Sequence, residues 1–215
     1  MMIEFNADIS LLINQAFGLG GRFVSYPEAM AASDVDPAEI NFSGIDIVSR
    51  DEAIELSYLG TPIIYPVTLK GGVYKVYDSS GKIVEKKMTD FRLPLATIVD
   101  FSRSKIKQKT KIPGSMSSVK EMYGHDDWQI RIRGLCLGEP RHPQGLDGFM
   151  DQHNKILEFE QLADSIDVEG DLFKEKSIYK IDINQINFPQ LQGKPRVLPF
   201  DFSCESDEPL ELILL

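Results

Sequence analysis

Three histidines and two cysteines are the residues of this chain best suited to catalysis or metal binding. His125 precedes Asp126 and Asp127, and these donor types would suit a metal ion in a small metal-dependent hydrolase. Residues 124–127 nevertheless have the composition of a turn, where aspartate and histidine are favoured for backbone reasons. The sequence therefore predicts a hairpin turn at this point and no metal site.

A thiol nucleophile is the second chemistry that the spacing suggests, because His142 follows Cys136 by six residues. Cys136 lies between Leu135 and Leu137, which favours a buried thiol over an activated thiolate. Cys204 also lies among apolar residues, so both cysteines are interpreted as buried thiols of a reducing compartment. We therefore predict no catalytic residue, no metal and no cofactor, and we do not expect an enzyme.

The clearest spacing in the chain is a run of cations at every second position. The run consists of Arg103, Lys105, Lys107, Lys109 and Lys111. A β-strand would place all five on one face, about 6.6 Å apart, because successive side chains alternate between faces. Like charges in such a row repel unless water or acidic groups lie opposite. The run therefore predicts a strand whose charged face meets water or an acidic surface, which belongs either to a partner or to the same chain.

Further predicted strands supply core residues and additional interface residues. The residues expected to face the core are Trp128, Ile130, Ile132, Phe200 and Phe202. The exposed face of the segment 128–134 carries Arg131 and Arg133, and the register decides whether it adjoins the first cationic face. The apolar C-terminal strand, with Leu212 and Leu214, is expected to pair inside a sheet or with a neighbouring subunit.

Charge falls into three blocks along the chain. Residues 1–60 carry −8, residues 61–135 carry +7 and residues 136–215 carry −9, within a net charge of −10. A basic middle between acidic flanks suits association between subunits, and it equally suits neutralisation within one fold. The overall acidity argues against nucleic acid as a partner.

Short alternating segments separated by Pro, Gly and Asp turns predict a mainly β fold of the α+β type. We expect the longer helix, at about 149–162, to pack on a sheet or barrel. Residues 1–87 are predicted to form an N-terminal extension or small subdomain, with a helix at 8–17 and a hairpin around 78–81. No signal peptide and no membrane-spanning segment is predicted.

The segment 110–134 contains a Thr-x-x-Gly…Val-Lys-Glu pattern, a Gly/Asp turn and a strand of the type aromatic-x-Ile-x-Ile-x-Gly. The matching residues are Thr110, Gly114, Val119, Lys120, Glu121, Gly124, Asp127, Trp128, Ile130, Ile132 and Gly134. Pro143, the helix, the strand at 178–188 and residues 206–212 continue the pattern. In these features residues 88–215 resemble an uncharacterised family of proteins encoded in bacterial prophage and tail-like gene clusters.

The resemblance implies that residues 88–215 form an antiparallel β-barrel or split barrel with one packed helix. It also implies a structural subunit of a phage-like tail or baseplate, oligomeric once assembled into a ring or connector. Its partners would be copies of itself or sibling tail and baseplate proteins, with no nucleic acid and no membrane involved. It would be made in the cytoplasm of the bacterial host and end in a virion or tail-like particle. The alternative is a β-sandwich binding module for a glycan or peptide, which needs an exposed aromatic platform. A small hydrolase using Cys136 and His142, or residues 125–127 with a metal, is the third hypothesis.

Overall fold

A computed structural model of the chain describes residues 8–19, 21, 23–25, 45–48, 52, 56, 64–111, 113–114, 118–137, 145–146, 148–190 and 197–207. His142, Leu212 and Leu214 therefore lie outside the described residues, and so do Pro143 and the predicted C-terminal strand. Within the described residues the fold is mainly antiparallel β with few helices, which confirms the predicted fold class.

The described residues form three helices and eleven strands. The helices are α1 (Ile9–Phe17), α2 (Phe149–Glu160) and α3 (Asp171–Glu175). The strands are β1 (Phe23–Ser25), β2 (Ile45–Ile47), β3 (Thr68–Leu69), β4 (Gly72–Tyr77), β5 (Ile83–Met88), β6 (Phe91–Arg92), β7 (Thr97–Lys111), β8 (Ser118–Cys136), β9 (Ile166–Glu169), β10 (Lys180–Asn187) and β11 (Leu198–Ser206).

Seven strands form the main sheet, in the order β6-β3-β9-β10-β11-β8-β7, and the sheet curls into a half-barrel. All described pairings in this sheet are antiparallel. β7 and β8 are 15 and 19 residues long, against eight and nine for β10 and β11. Because β11 pairs with β8 only from Gln129 to Cys136, the rest of the β7–β8 ribbon extends past the sheet.

The inner face of the sheet carries the main core. Ile130 and Ile132 on β8 lie opposite Cys204 and Phe202 on β11, and all four are at most 2% exposed. Helices α2 and α3 cover this face with Ile156, Phe159 and Phe173, which belong to the same cluster. The residues predicted for the core on these two strands are thus buried, apart from Trp128, which is half-buried against the cluster.

A glycine lets β8 approach an aromatic ring in this core. A Cβ at Gly134 would lie 2.5 Å from the Phe200 ring and 2.6 Å from the Thr97 hydroxyl. Because Gly134 pairs with Phe200 across the two strands, the ring lies directly over the space that a side chain would fill. The position therefore requires glycine for close packing rather than for backbone freedom.

Helix α1 packs on the other face of the sheet. Asp8 caps it by accepting the Ser10 backbone N–H at 2.9 Å, and Gly18 ends it in a left-handed conformation, so the helix predicted at 8–17 is confirmed. Its buried Leu12 and Ile13 join a second apolar cluster with Leu135 of β8. Burial of this apolar stripe holds the N-terminal helix on the outer side of the half-barrel.

Several other local predictions can be compared directly with the structure. The hairpin β4–β5 closes through a turn in which the Asp78 carboxylate accepts the backbone N–H groups of Ser80 and Lys82, and it is confirmed. β10 contains a bulge where it pairs with β11, seen as a register shift between Ile183 and Gln185. The predicted helix at 149–162 is confirmed and ends two residues earlier, at Glu160.

The predicted turn at 124–127 is wrong, because β8 runs without interruption from Ser118 to Cys136. Two register shifts, between Arg103 and Lys105 and between Ile106 and Lys107, occur where this segment pairs with β7. In both, β8 advances one residue more than β7, so the Gly- and Asp-rich segment forms bulges inside a strand. Glycine and aspartate occur in turns and in bulges alike, because both features use backbone conformations outside the regular strand. Gly124, with a φ of +153°, supplies such a conformation here.

The predicted boundary near residue 88 separates segments that share hydrogen bonds. β3, on its N-terminal side, pairs with β6 and β9, which lie on its C-terminal side. Tyr74 of β4 is buried in the same cluster as Phe91 of β6. The division into 1–87 and 88–215 stays a prediction about sequence units.

Candidate functional site

The β7–β8 ribbon projects beyond the sheet over residues 102–127, which we call the arm. Among the arm residues whose exposure the structure describes, all are exposed except the half-buried Ser118 and Gly124. With ten residues of β7 in the arm and about 3.3 Å per residue, its length is on the order of 30 Å. Exposure on both faces of a long two-stranded ribbon marks the arm as the least packed part of the described structure.

The predicted cationic strand is confirmed as the outer part of β7. Both bulges insert their extra residue into β8, so the side chains of β7 alternate without interruption. Arg103, Lys105, Lys107, Lys109 and Lys111 therefore share one face, and all are exposed. Phe101 lies on the same side of the strand and packs against the main core. The cationic face is thus the continuation, past the edge of the core, of the inner face of the sheet.

β8 adds to this face. Lys109 lies directly opposite Lys120, Lys107 opposite Met122, and Lys105 opposite His125. Residues directly opposite each other in an antiparallel pair project from the same side, so the face carries six formal cations in two rows. Among the described residues, no acidic side chain forms an ion pair with these five lysines.

The base of the arm is an aromatic junction flanked by cations. The Phe101 ring meets Phe173 edge-on with centroids 5.0 Å apart, and it meets Trp128 at 6.4 Å. Arg103 lies over the Trp128 ring at 5.3 Å, and the Lys176 ammonium lies over Phe101 at 4.6 Å. These contacts anchor the arm to α3 and the sheet, and each cation–ring contact stabilises the junction by about 0.5–1 kcal/mol.

The opposite face of the arm has a different character. Ile106 is 48% exposed and Tyr123 is 63% exposed, and neither packs against the main core cluster. The Tyr123 hydroxyl donates a hydrogen bond to the Glu121 carboxylate at 2.5 Å, which raises the pKa of Tyr123. The arm is therefore two-sided, with a cationic face and a polar face that carries isolated exposed apolar groups.

Arg131 and Arg133, also predicted for the interface, lie on the outer face of the sheet. Arg131 makes two hydrogen bonds with the Asp201 carboxylate, at 2.6 and 3.0 Å, and Asp201 raises its pKa. Arg133 pairs with Asp100 and lies over the Phe17 ring at 5.9 Å. Both arginines thus point away from the cationic face of the arm and are neutralised within the chain.

Both cysteines considered in the sequence analysis are buried in the structure. Cys136 and Cys204 are fully buried, and burial raises the pKa of each thiol to about 12. His153 packs edge-on against Phe188, and burial lowers its pKa. Among the described residues, no group of three or more His, Cys, Asp or Glu side chains is placed to hold a metal ion.

Lys120 is the member of the cationic face that the sequence pattern missed. The alternation at 103–111 points to one strand, and the chain beyond Pro113 and Gly114 looks irregular because of its bulges. The missed signal is the hairpin geometry: a cationic strand that ends at a Pro-Gly turn needs an antiparallel partner of similar length. Six residues, 112–117, connect the two strands, and the pairing of Lys111 with Ser118 places Lys120 opposite Lys109.

Fold and arm together define a β-rich half-barrel protein with a helix-packed inner face and a projecting, charged two-stranded ribbon. Residues 92–215 match a family described as a domain of unknown function, DUF6046, and the chain belongs to that family. The match begins at β6 and includes the whole arm. No curated protein matches the chain. In the part of the chain that the structure describes, no helix has the length and apolar character required to span a membrane.

Proposed function

We propose that the chain is a structural subunit of a phage-like tail or baseplate, attached to its neighbours in a ring or connector through the arm. The observation that carries this proposal is the arm itself, a long ribbon exposed on both faces. An isolated two-stranded ribbon is marginally stable in water because it buries little apolar area. Contacts with a neighbouring subunit would supply that burial, which makes the arm a natural attachment element.

Charge supports the same role. The cationic face carries six cations and finds no described acidic partner within its own chain, whereas Arg131 and Arg133 are neutralised internally. A row of like charges exposed to water stabilises nothing in an isolated subunit. Opposite a carboxylate-bearing surface the same row orients and accelerates docking. The proposed site of action is the assembled particle, after synthesis in the host cytoplasm.

The alternative of a glycan- or peptide-binding module receives less support from the site. Such a module needs an exposed aromatic platform, and Trp128 is half-buried with one neighbour in Phe101 and another in Arg103. The exposed Tyr123 and Tyr179 belong to separate elements, the arm and the segment before β10. Binding of a glycan array or peptide library with quenching of Trp128 fluorescence would favour this alternative.

The test compares the full chain with a variant in which Asn-Gly replaces residues 106–124. This change joins the paired Lys105 and His125 through a tight hairpin turn and leaves the base of the arm in place. Each protein is co-expressed with the products of the genes that flank its own, followed by affinity purification and negative-stain electron microscopy. We expect stoichiometric complexes or rings with the full chain, and their loss with the shortened arm at an unchanged melting temperature. Monomers that bind none of the co-expressed proteins in both samples would contradict the proposal.

A further inference from the structure

We propose that the cationic face of the arm docks on the outer face of β10–β11 of a second copy of the chain, at Asp182 and Glu205. The inference rests on the proposed assembly role and names the partner and acceptor surface within it. Asp182 lies directly opposite Glu205 in the antiparallel register. Two carboxylates in this relationship repel each other, as Lys109 and Lys120 do on the arm.

The two like-charge pairs are complementary in sign and in spacing. Directly opposite residues have Cβ atoms about 4.5–5.5 Å apart in any antiparallel pair, so two lysines can face two carboxylates one to one. Asp182 is exposed and Glu205 half-exposed, with the Glu205 carboxylate accepting a hydrogen bond from Gln129 at 2.9 Å. Docking would relieve the repulsion within both pairs at once.

The sheet prevents the lysines of the arm from contacting Asp182 and Glu205 of their own chain. Asp182 and Glu205 lie on the same side as Asp201 and Arg131, which is the outer face. The cationic face of the arm continues the inner face, on which Phe101 lies. Glu205 lies opposite Gln129 at the base of the arm, whereas Lys109 lies six residues of β7 beyond Arg103, about 20 Å further along the ribbon. The acceptor must therefore belong to another molecule.

Net charge favours a second copy over nucleic acid. The six cations and three carboxylates of residues 102–127 give the arm +3, which leaves −13 for the rest of a chain whose net charge is −10. The body of a second copy attracts the arm, as a polyanion would, and the body that carries the arm repels either partner. That repulsion is larger for a nucleic acid, because a duplex carries about one charge per 1.7 Å of its length.

The geometry of the contact also limits its symmetry. Arm and acceptor are different surfaces, so two copies either exchange arms reciprocally in a two-fold dimer or pass one arm from copy to copy in a head-to-tail contact. Two arms cannot pair through their cationic faces, because their lysines repel. A head-to-tail contact closes into a ring or continues as a helical filament, depending on the rotation between copies.

A charge-swap experiment on the full chain tests the inference. One variant carries Lys109→Glu and Lys120→Glu, a second carries Asp182→Lys and Glu205→Lys, and a control carries Lys82→Glu and Lys87→Glu on the exposed hairpin β4–β5. Self-association is measured by sedimentation velocity at about 50 mM salt, where screening is weak, and again at about 300 mM. We expect each swap to weaken association at least about tenfold and the control to leave it unchanged.

Mixing the two swapped variants is the decisive step. The variant with lysines at 182 and 205 keeps its cationic arm, and the variant with glutamates at 109 and 120 keeps its acidic acceptor face. An equimolar mixture of the two should therefore associate as well as the unmodified chain. A mixture that stays monomeric, or an unmodified chain that is monomeric at low salt, overturns the inference. If that monomer still forms arm-dependent complexes with its co-expressed neighbours, the proposed function stands without it. Arm-dependent binding of a duplex DNA probe in place of self-association would overturn both.

Discussion

Phe101 and Arg103 occupy the same face of β7, two residues apart, yet Phe101 packs on Phe173 in the core while Arg103 lies over Trp128 at the edge of solvent. The core therefore ends between them. Beyond Arg103 the residues of this face are exposed cations, whereas before Phe101 Val99 packs against the core and Thr97 is buried. A single strand thus contributes to the core on one side of this point and to the exposed cationic face, the binding surface proposed above, on the other.

The first prediction concerns the anchor of the arm. Phe173→Ala should lower the free energy of unfolding by about 3–5 kcal/mol, because the ring is fully buried among core residues and truncation leaves a cavity. Urea denaturation provides the measurement. Tyr179→Ala serves as a matched aromatic control, since Tyr179 is 65% exposed, and it should change stability by less than about 0.5 kcal/mol. Equal effects of the two substitutions would contradict the assignment of Phe173 to the anchor.

The second prediction concerns the repulsion between Lys109 and Lys120. Lys120→Glu places opposite charges on directly paired residues and should stabilise the arm by about 0.2–1 kcal/mol. The readout is amide hydrogen exchange of residues 107–111, which should slow in the variant. Lys120→Gln removes the repulsion without adding attraction and should give an intermediate rate. Identical exchange rates in all three proteins would show that the two side chains do not interact.

Local features of the fold were predictable because short-range rules determine them. Asp8 and Gly18 bound α1 through capping, and Asp78 closes the β4–β5 turn through hydrogen bonds to nearby N–H groups. The alternation of cations at 103–111 likewise predicts the strand and its charged face.

Long-range pairing was not predictable from the same patterns. The ion pair between Arg131 and Asp201 joins residues 70 positions apart, and only the register of β8 with β11 brings them together. The side of the sheet on which each basic face lies also depends on that register. Residues 124–127 satisfy the composition of a turn and of a bulge equally well, and only pairing with β7 decides between them.

The third prediction concerns the close approach at Gly134. Gly134→Ala should destabilise the protein by about 1–3 kcal/mol, because the added methyl group overlaps the Phe200 ring and the Thr97 hydroxyl. Phe200→Leu should lower the free energy of unfolding less in the Gly134→Ala variant than in the unmodified chain, and a double-mutant cycle measures the difference. Ser203→Ala, at an exposed position of β11, is the control and should be nearly neutral. Additive effects in the cycle would mean that the ring does not occupy the space beside Gly134.

The last prediction concerns the pH dependence that the buried thiols impose. Burial raises the pKa of Cys136 and of Cys204 from 9.0 to about 12 in the folded chain. Between these pH values the unfolded chain loses thiol protons that the folded chain keeps. The stability that the two protonated thiols contribute is therefore fully present below pH 9.0 and falls as the pH rises towards about 12. The loss is on the order of 1 kcal/mol per pH unit for each thiol.

Cys136→Ala combined with Cys204→Ala isolates this effect, because lysine and tyrosine titration is common to both proteins. The difference in free energy of unfolding between the unmodified chain and the variant should shrink by roughly 2–3 kcal/mol from about pH 8 to about pH 10. Urea denaturation at the two pH values measures it, and a thiol reagent should react with the native chain only as fast as the chain unfolds. A pH-independent difference together with fast labelling of the native protein would mean that the thiols are accessible, and it would restore Cys136 as a candidate nucleophile.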